Sequence, residues 1–240
     1  MPARWTLTLR AERPSVERAV TPAQLHGLTA TLLEGAGADH HAQHKPYSVS
    51  PLLAADRTGR AILRLGWLQD SPRPDLVALT GLRVRLGAQF FTVAGAEEEF
   101  TPYPVLCQVP GARRVVMRFV SATYFSRNGR WHPLPDPALL YGGLIRRWNL
   151  FAPPYAQIDE AQEKALLSSV ALSAHDIASC PISLGAGYRI GFTGDAAFAL
   201  VGSYAEAVAG LFAGLSLFAA VSGVGAQTTH GLGCLNVGLE

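Results

Sequence analysis

SGVGAQTTHGLGCL, residues 222–235, joins a long apolar run to a last predicted strand. Its reading separates two classes of fold. It holds two Gly-x-Gly pairs, Gly223/Gly225 and Gly231/Gly233. A dinucleotide-binding fold places G-x-G-x-x-G after a strand and before a helix. Here the order is helix, loop, strand, and Thr228 stands where the third glycine would fall. No Gly-Lys-Ser/Thr occurs in the chain, so the P-loop signature fails as well. The negative, C-terminal end of a helix feeds this loop. Any phosphate held here must be held by the loop's own N–H groups, which glycines allow through positive φ and close approach. Gln227, Thr228 and Thr229 add neutral donors. Tight packing of two elements is the competing reading.

Outward from the loop, the elements alternate. Residues 203–221 form a helix capped by Ser203, and residues 233–238 the last strand. Upstream, residues 187–193 and 196–201 read as two strands around a Gly194-Asp195 turn. Residues 169–177 alternate as a strand, 159–167 as an extra helix, 137–149 as an apolar-faced helix, and 114–124 as a strand. The first part has the same order. Residues 4–10 (RWTLTLR) alternate as a strand. Thr21-Pro22 supplies an N-cap and an N1 proline for a helix to about residue 33. Residues 60–67 (RAILRLGW) form a strand, 75–81 a short helix, and 82–94 a strand or hairpin arm. The order β-α-β-β-α-β occurs twice, predicting an α+β chain of two tandem ferredoxin-like domains, 1–110 and 111–240, with a C-terminal glycine-rich loop.

With 240 residues, 49% of them apolar, the chain can fill a real core. The net charge of +2 hides an asymmetry. Residues 1–147 carry 18 basic against 11 acidic side chains, and residues 148–240 carry 2 against 7. Of the basic residues 18 are Arg. Arginine forks onto phosphate and stacks on bases, so the bias suits RNA; solvated faces are the plainer reading. Cys107, Cys180 and Cys234 have no zinc or disulfide spacing, which fits a reducing cytoplasm. No signal peptide is visible in MPARWTLTLRAER. The apolar run at 207–221 is shorter than the roughly 20 residues a membrane span needs, so a buried helix is expected.

Four segments, in order, resemble one known family. They are HKPYSVSPL (44–52), RFVSATYFSRNGRWHPLPDPALLYGGLIRRWNLF (118–151), YRIGFTGDAAFAL (188–200) and FAAVSGVGAQTTHGLGCL (218–235). Together they are similar to the CRISPR-associated endoribonucleases of the Cas6 family, RAMP proteins that process the CRISPR precursor transcript. The resemblance implies metal-independent cleavage of repeat RNA, leaving 5′-hydroxyl and 2′,3′-cyclic phosphate ends, with no cofactor. Implied partners are the repeat RNA, as precursor and as mature guide, and effector-complex subunits; a homodimer stays open.

Cleavage by a neighbouring 2′-hydroxyl needs a base, an acid and a cation. Histidine suits the first two, and Lys or Arg the third. The loop after the first helix supplies His40, His41, His44 and Lys45, where the resemblance places the catalytic histidine. A histidine-rich surface loop or a metal site are the alternatives. Some relatives carry a tyrosine on the first helix; here that helix has His26 instead. For RNA contact the candidates are Arg113, Arg114 and Arg118 near the second domain's start. Arg127 and Arg130 flank an Asn128-Gly129 turn, and the loop adds Gly223, Gly225, Gln227, Thr228, Thr229, His230, Gly231 and Gly233. Its glycines are expected to let RNA approach the backbone. Arg146 and Arg147 read as helix surface, and Trp67, Trp131 and Trp148 as core. Two rival functions remain: a non-catalytic RAMP subunit holding guide RNA, and a small-molecule phosphate-binding protein.

Overall fold

The computed structural model describes every residue except 14–19, 35–43, 54–55, 57, 71–72 and 186. The first sheet begins with β1 (Ala3–Ala11), which buries Ala3, Trp5, Leu7 and Leu9 in strict alternation. α1 (Pro22–Leu33) starts at a capping box. The Thr21 hydroxyl accepts from the Gln24 N–H at 3.3 Å, and the Gln24 side chain accepts from the Thr21 N–H at 3.0 Å. β2 (Tyr47–Val49), β3 (Arg60–Trp67), β4 (Arg83–Leu86) and β5 (Gln89–Phe100) complete an antiparallel sheet of order β2-β3-β1-β5-β4. The helix expected over 75–81 is only a 3₁₀ turn, Val77–Leu79. Asp75 caps it through the Val77 and Ala78 N–H groups. Gly81 then leaves the turn at φ 87°, before a costly helix nucleus can propagate.

α2 (Tyr103–Cys107), which no periodicity announced, buries Tyr103 and Leu106. The second sheet follows. β6 (Arg114–Thr123) leads into a small hairpin of β7 (Phe125–Arg127) and β8 (Arg130–His132). Next come α3 (Pro137–Phe151), α4 (Glu160–Ser169), β9 (Val170–Ser183), β10 (Tyr188–Leu200), α5 (Glu206–Ser222) and β11 (Leu235–Leu239). The sheet order is β11-β6-β10-β9, all antiparallel. Counted within this half, the strands lie 4-1-3-2, which is the ferredoxin-like arrangement of a β-α-β-β-α-β unit. The first sheet has the same order once the extra edge strand β4 is set aside.

Two expectations fail here. β10 is one strand, not two around a turn: Gly194, at φ 116°, is a bulge where the register with β6 shifts. α5 starts at Glu206 with Ala205 as its N-cap, and Ser203 plays no part. Burial rather than capping fixes this helix. Phe212, Ala213, Leu215, Phe218 and Ala219 are all fully buried, each large side chain contributing about 1.5–3 kcal/mol. No helix of the described residues is long and apolar enough to cross a membrane.

The two sheets have separate cores, one around Trp5, Leu7 and Leu65, the other around Phe119, Trp148 and Phe218. Leu68, Tyr103 and Leu106 belong to the second. The halves are also stitched directly. The Ser48 hydroxyl of β2 donates to the Val221 carbonyl of α5 at 2.6 Å, and the Arg64 guanidinium of β3 donates to Asn236 Oδ1 of β11 at 2.8 Å.

Candidate active site

The glycine-rich loop is tied down at both ends. Its Val224 N–H donates to the Gly233 carbonyl at 3.0 Å, and its Ala226 N–H to the Tyr124 carbonyl at 2.9 Å. The Gly233 N–H donates to the Ala122 carbonyl at 3.1 Å. All four of its paired glycines have positive φ. At Gly233 a Cβ would stand 1.9 Å from the Val224 carbonyl oxygen, and at Gly231 2.6 Å from Leu25 Cδ1 of α1. These two glycines therefore clear space for the protein itself, which corrects the expectation that they clear it for RNA. Gly223 is also packed against its own chain, and at the exposed Gly225 a Cβ would stand 2.5 Å from the Tyr124 carbonyl oxygen.

Pinned this way, the loop carries a 3₁₀ turn, Thr228–His230, against α1 and β2. His26 of α1 stacks on His230, with ring centroids 4.2 Å apart and planes within 5°. His26 Nδ1 lies 3.2 Å from the Thr229 carbonyl oxygen. A carbonyl only accepts, so Nδ1 carries a proton in this contact and Nε2 is left facing away from it. His230 Nδ1 is 3.0 Å from the Thr229 hydroxyl. Burial, with His26 alongside, pushes the His230 pKa down to about 4. Its ring is therefore neutral at pH 7.

Beside this pair, Glu34 accepts from Lys45 at 2.8 Å and from the Tyr47 hydroxyl at 2.6 Å. Lys45 and Glu34 are almost wholly buried, at 11% and 6% exposure. Burial, then Glu34, raises the Tyr47 pKa far above its usual value. Arg147 of α3 forks between the two halves. It donates to the Tyr47 carbonyl at 2.7 Å and to the Thr228 hydroxyl. Burial lowers its pKa to about 10, so it stays charged at pH 7. These groups border a cleft of about 780 Å³, lined by His44, Lys45, Arg146, Arg147, Gly225, Gln227, Thr228, Thr229 and His230 among others. Among the described residues no three of His, Cys, Asp and Glu group as a metal-ligand set.

The structure thus gathers His44, Lys45 and the middle of the glycine loop. His40 and His41 lie outside the described residues. Lys45 is not a bare cation, because its charge faces Glu34. The β6 arginines are not among the cleft's lining. Arg118 binds Asp195 through two contacts of 2.9 Å, Arg114 pairs with Glu240, and Arg113 is exposed. Arg127 and Arg130 are exposed on the β7–β8 hairpin, where Asn128 and Gly129 both have positive φ. Trp67 and Trp148 are core, but Trp131 is 54% exposed and lies under the Arg189 guanidinium at 4.7 Å, against expectation. Arg147 was misread as surface. It falls three residues after Leu144 and seven after Leu140, on the buried stripe of α3, and that spacing is the signal that could have found it.

Residues 117–235 match the model of the family CRISPR-associated endoribonuclease Cas6. The CRISPR-associated endoribonuclease Cas6 of Mycobacterium tuberculosis is 29% identical over 255 residues, covering 98% of this chain and 78% of that protein. A solved Cas6 product complex is 29% identical with a TM-score of 0.81, covering 99% of both chains. Thermus thermophilus Cas6 is 25% identical with a TM-score of 0.76, covering 99% of this chain and 98% of its own. In sequence over residues 117–235 and in fold over its whole length, the chain is similar to the Cas6 family of CRISPR-associated endoribonucleases.

Proposed function

We propose that this protein cleaves CRISPR repeat RNA in the precursor transcript without a metal ion, leaving 5′-hydroxyl and 2′,3′-cyclic phosphate ends. The observation that carries the reading is the convergence on one cleft of a neutral imidazole, His230, and the cations Arg146 and Arg147. His44 and Lys45 line the same cleft.

In the reaction a base removes the 2′ proton and O2′ attacks phosphorus. The P–O5′ bond breaks, and an acid gives its proton to O5′. His230, unprotonated at pH 7, takes the 2′ proton as a base weaker than an ordinary imidazole, with His26 held behind it by the Thr229 carbonyl. The acid comes from the His40, His41 and His44 loop. Arg146 and Arg147 hold the charge that gathers on the phosphorane oxygens. Lys45 sets the cleft wall through Glu34 and Tyr47.

Single-turnover cleavage of the repeat RNA in EDTA tests this, with alanine at His26, His40, His41, His44 and His230 in turn. Losing a general acid or base costs about 10²–10⁴-fold in rate. The reading expects that loss at His230 and at one loop histidine, with RNA binding retained. Tight repeat binding with no cleavage by the wild type would leave an RNA-holding subunit instead.

A further inference from the structure

Gln227 combines two unfavourable features at the cleft wall. Its backbone is left-handed, at φ 58° and ψ 38°, a conformation that few residues other than glycine adopt. Among the described residues one other non-glycine shares it, Asn128, whose two-residue hairpin turn demands it. At Gln227 the conformation starts the Thr228–His230 turn, whose His230 N–H donates to the Gln227 carbonyl at 2.9 Å. The second feature is the side chain. Gln227 Oε1 is buried with no hydrogen-bond partner among the described residues. The other buried atoms so placed, Arg4 Nε, Trp5 Nε1 and Trp67 Nε1, are donors, and none of their residues lines this cleft.

A buried amide oxygen without a partner in a ligand cleft points to a partner on the ligand. Phosphate oxygens only accept, so they cannot satisfy Oε1 and serve the amide only in its flipped orientation. A ribose 2′-hydroxyl both donates and accepts, so it satisfies the amide in either of its two orientations. A base N–H serves only one of them. We propose that Gln227 is a specificity residue that binds the 2′-hydroxyl of one nucleotide seated in the cleft. It would distinguish RNA from DNA there in the binding step, apart from the reaction itself. This rests on the RNA reading above.

The test is a binding cycle with uncleavable repeat RNAs, each carrying one 2′-deoxy sugar near the cut, against wild type, Gln227→Met and Gln227→Gly. Glycine keeps the left-handed backbone at no steric cost and removes only the amide. Urea unfolding of each variant checks that it is folded. Wild type should lose about 5- to 10-fold in affinity at one deoxy position. Both variants should bind unmodified RNA about as weakly as wild type binds that deoxy RNA, with no further loss when the two changes are combined. Additive losses at every position would overturn the proposal. So would a penalty that follows removal of a base N–H rather than the hydroxyl. If wild type shows no preference for repeat RNA over the same DNA sequence, the RNA reading has failed, whatever the variants do.

Discussion

Gly233→Ala tests what the glycine loop is for. At this site φ is 68° and a Cβ would lie 1.9 Å from the Val224 carbonyl oxygen. The left-handed backbone costs an alanine about 1–2 kcal/mol. The clash is with backbone on the far side of the same loop, so relief needs a main-chain shift, at about 1–3 kcal/mol. The sum is about 2–5 kcal/mol. Two controls separate the contributions. Gly129 has φ 73° with nothing within 4 Å of its Cβ position, so its alanine pays the backbone cost alone, about 1–2 kcal/mol. Gly238 has neither strain nor a neighbour within 4 Å, so its alanine stays within about 0.5 kcal/mol of wild type. Urea unfolding at constant m-value ranks the three. The reasoning fails if Gly233→Ala is no less stable than Gly129→Ala and only RNA affinity suffers. The glycine would then serve ligand access, as the sequence alone suggested.

Other outcomes follow from the same geometry. His230 has a folded pKa of about 4 against an ordinary value near 6.5, so its contribution to stability is complete above pH 6.5 and is lost as pH falls towards 4. Discounted for a half-buried ring, the loss is about 1–2 kcal/mol; the unfolding midpoints of His230→Asn at pH 7.5 and pH 4.5 should lack that difference. Glu34→Gln removes the charge facing Lys45 at 2.8 Å and should cost about 3 kcal/mol in urea unfolding. Trp131→Ala, on an exposed hairpin, should change stability by less than about 1 kcal/mol. It should weaken RNA binding by the about 1–3 kcal/mol of one stacked base, read by filter binding or anisotropy.

Much of the fold was legible because its signals are local. RAILRLGW alternates and is β3, and Thr21-Pro22 with Leu25 and Leu28 is the start of α1. The misreadings arise where distant contacts override local cues. Gly194 and Asp195 look like a turn, yet pairing on both sides by β6 and β9 keeps the strand continuous through a bulge. Ser203 looks like a cap, yet the buried faces of α5 set its start. The site was half legible. The glycine loop and the segment opening at His44 carry visible composition. The stacking of His26 on His230, and the contact of His26 with Thr229 across 203 residues of chain, leave no periodic trace. The Arg147 fork to Tyr47 spans 100 residues and left only a weak one, its place on the apolar stripe of α3.

The mass of the upstream fragment, after the wild-type protein has cut repeat RNA in EDTA, distinguishes attack by the 2′-hydroxyl from metal-dependent hydrolysis. Attack by the 2′-hydroxyl gives efficient cutting and a 2′,3′-cyclic phosphate, lighter by one water than a linear phosphate, with a 5′-hydroxyl on the downstream fragment. A 3′-hydroxyl with a 5′-phosphate, or cutting that appears only when a divalent metal is restored, would contradict it.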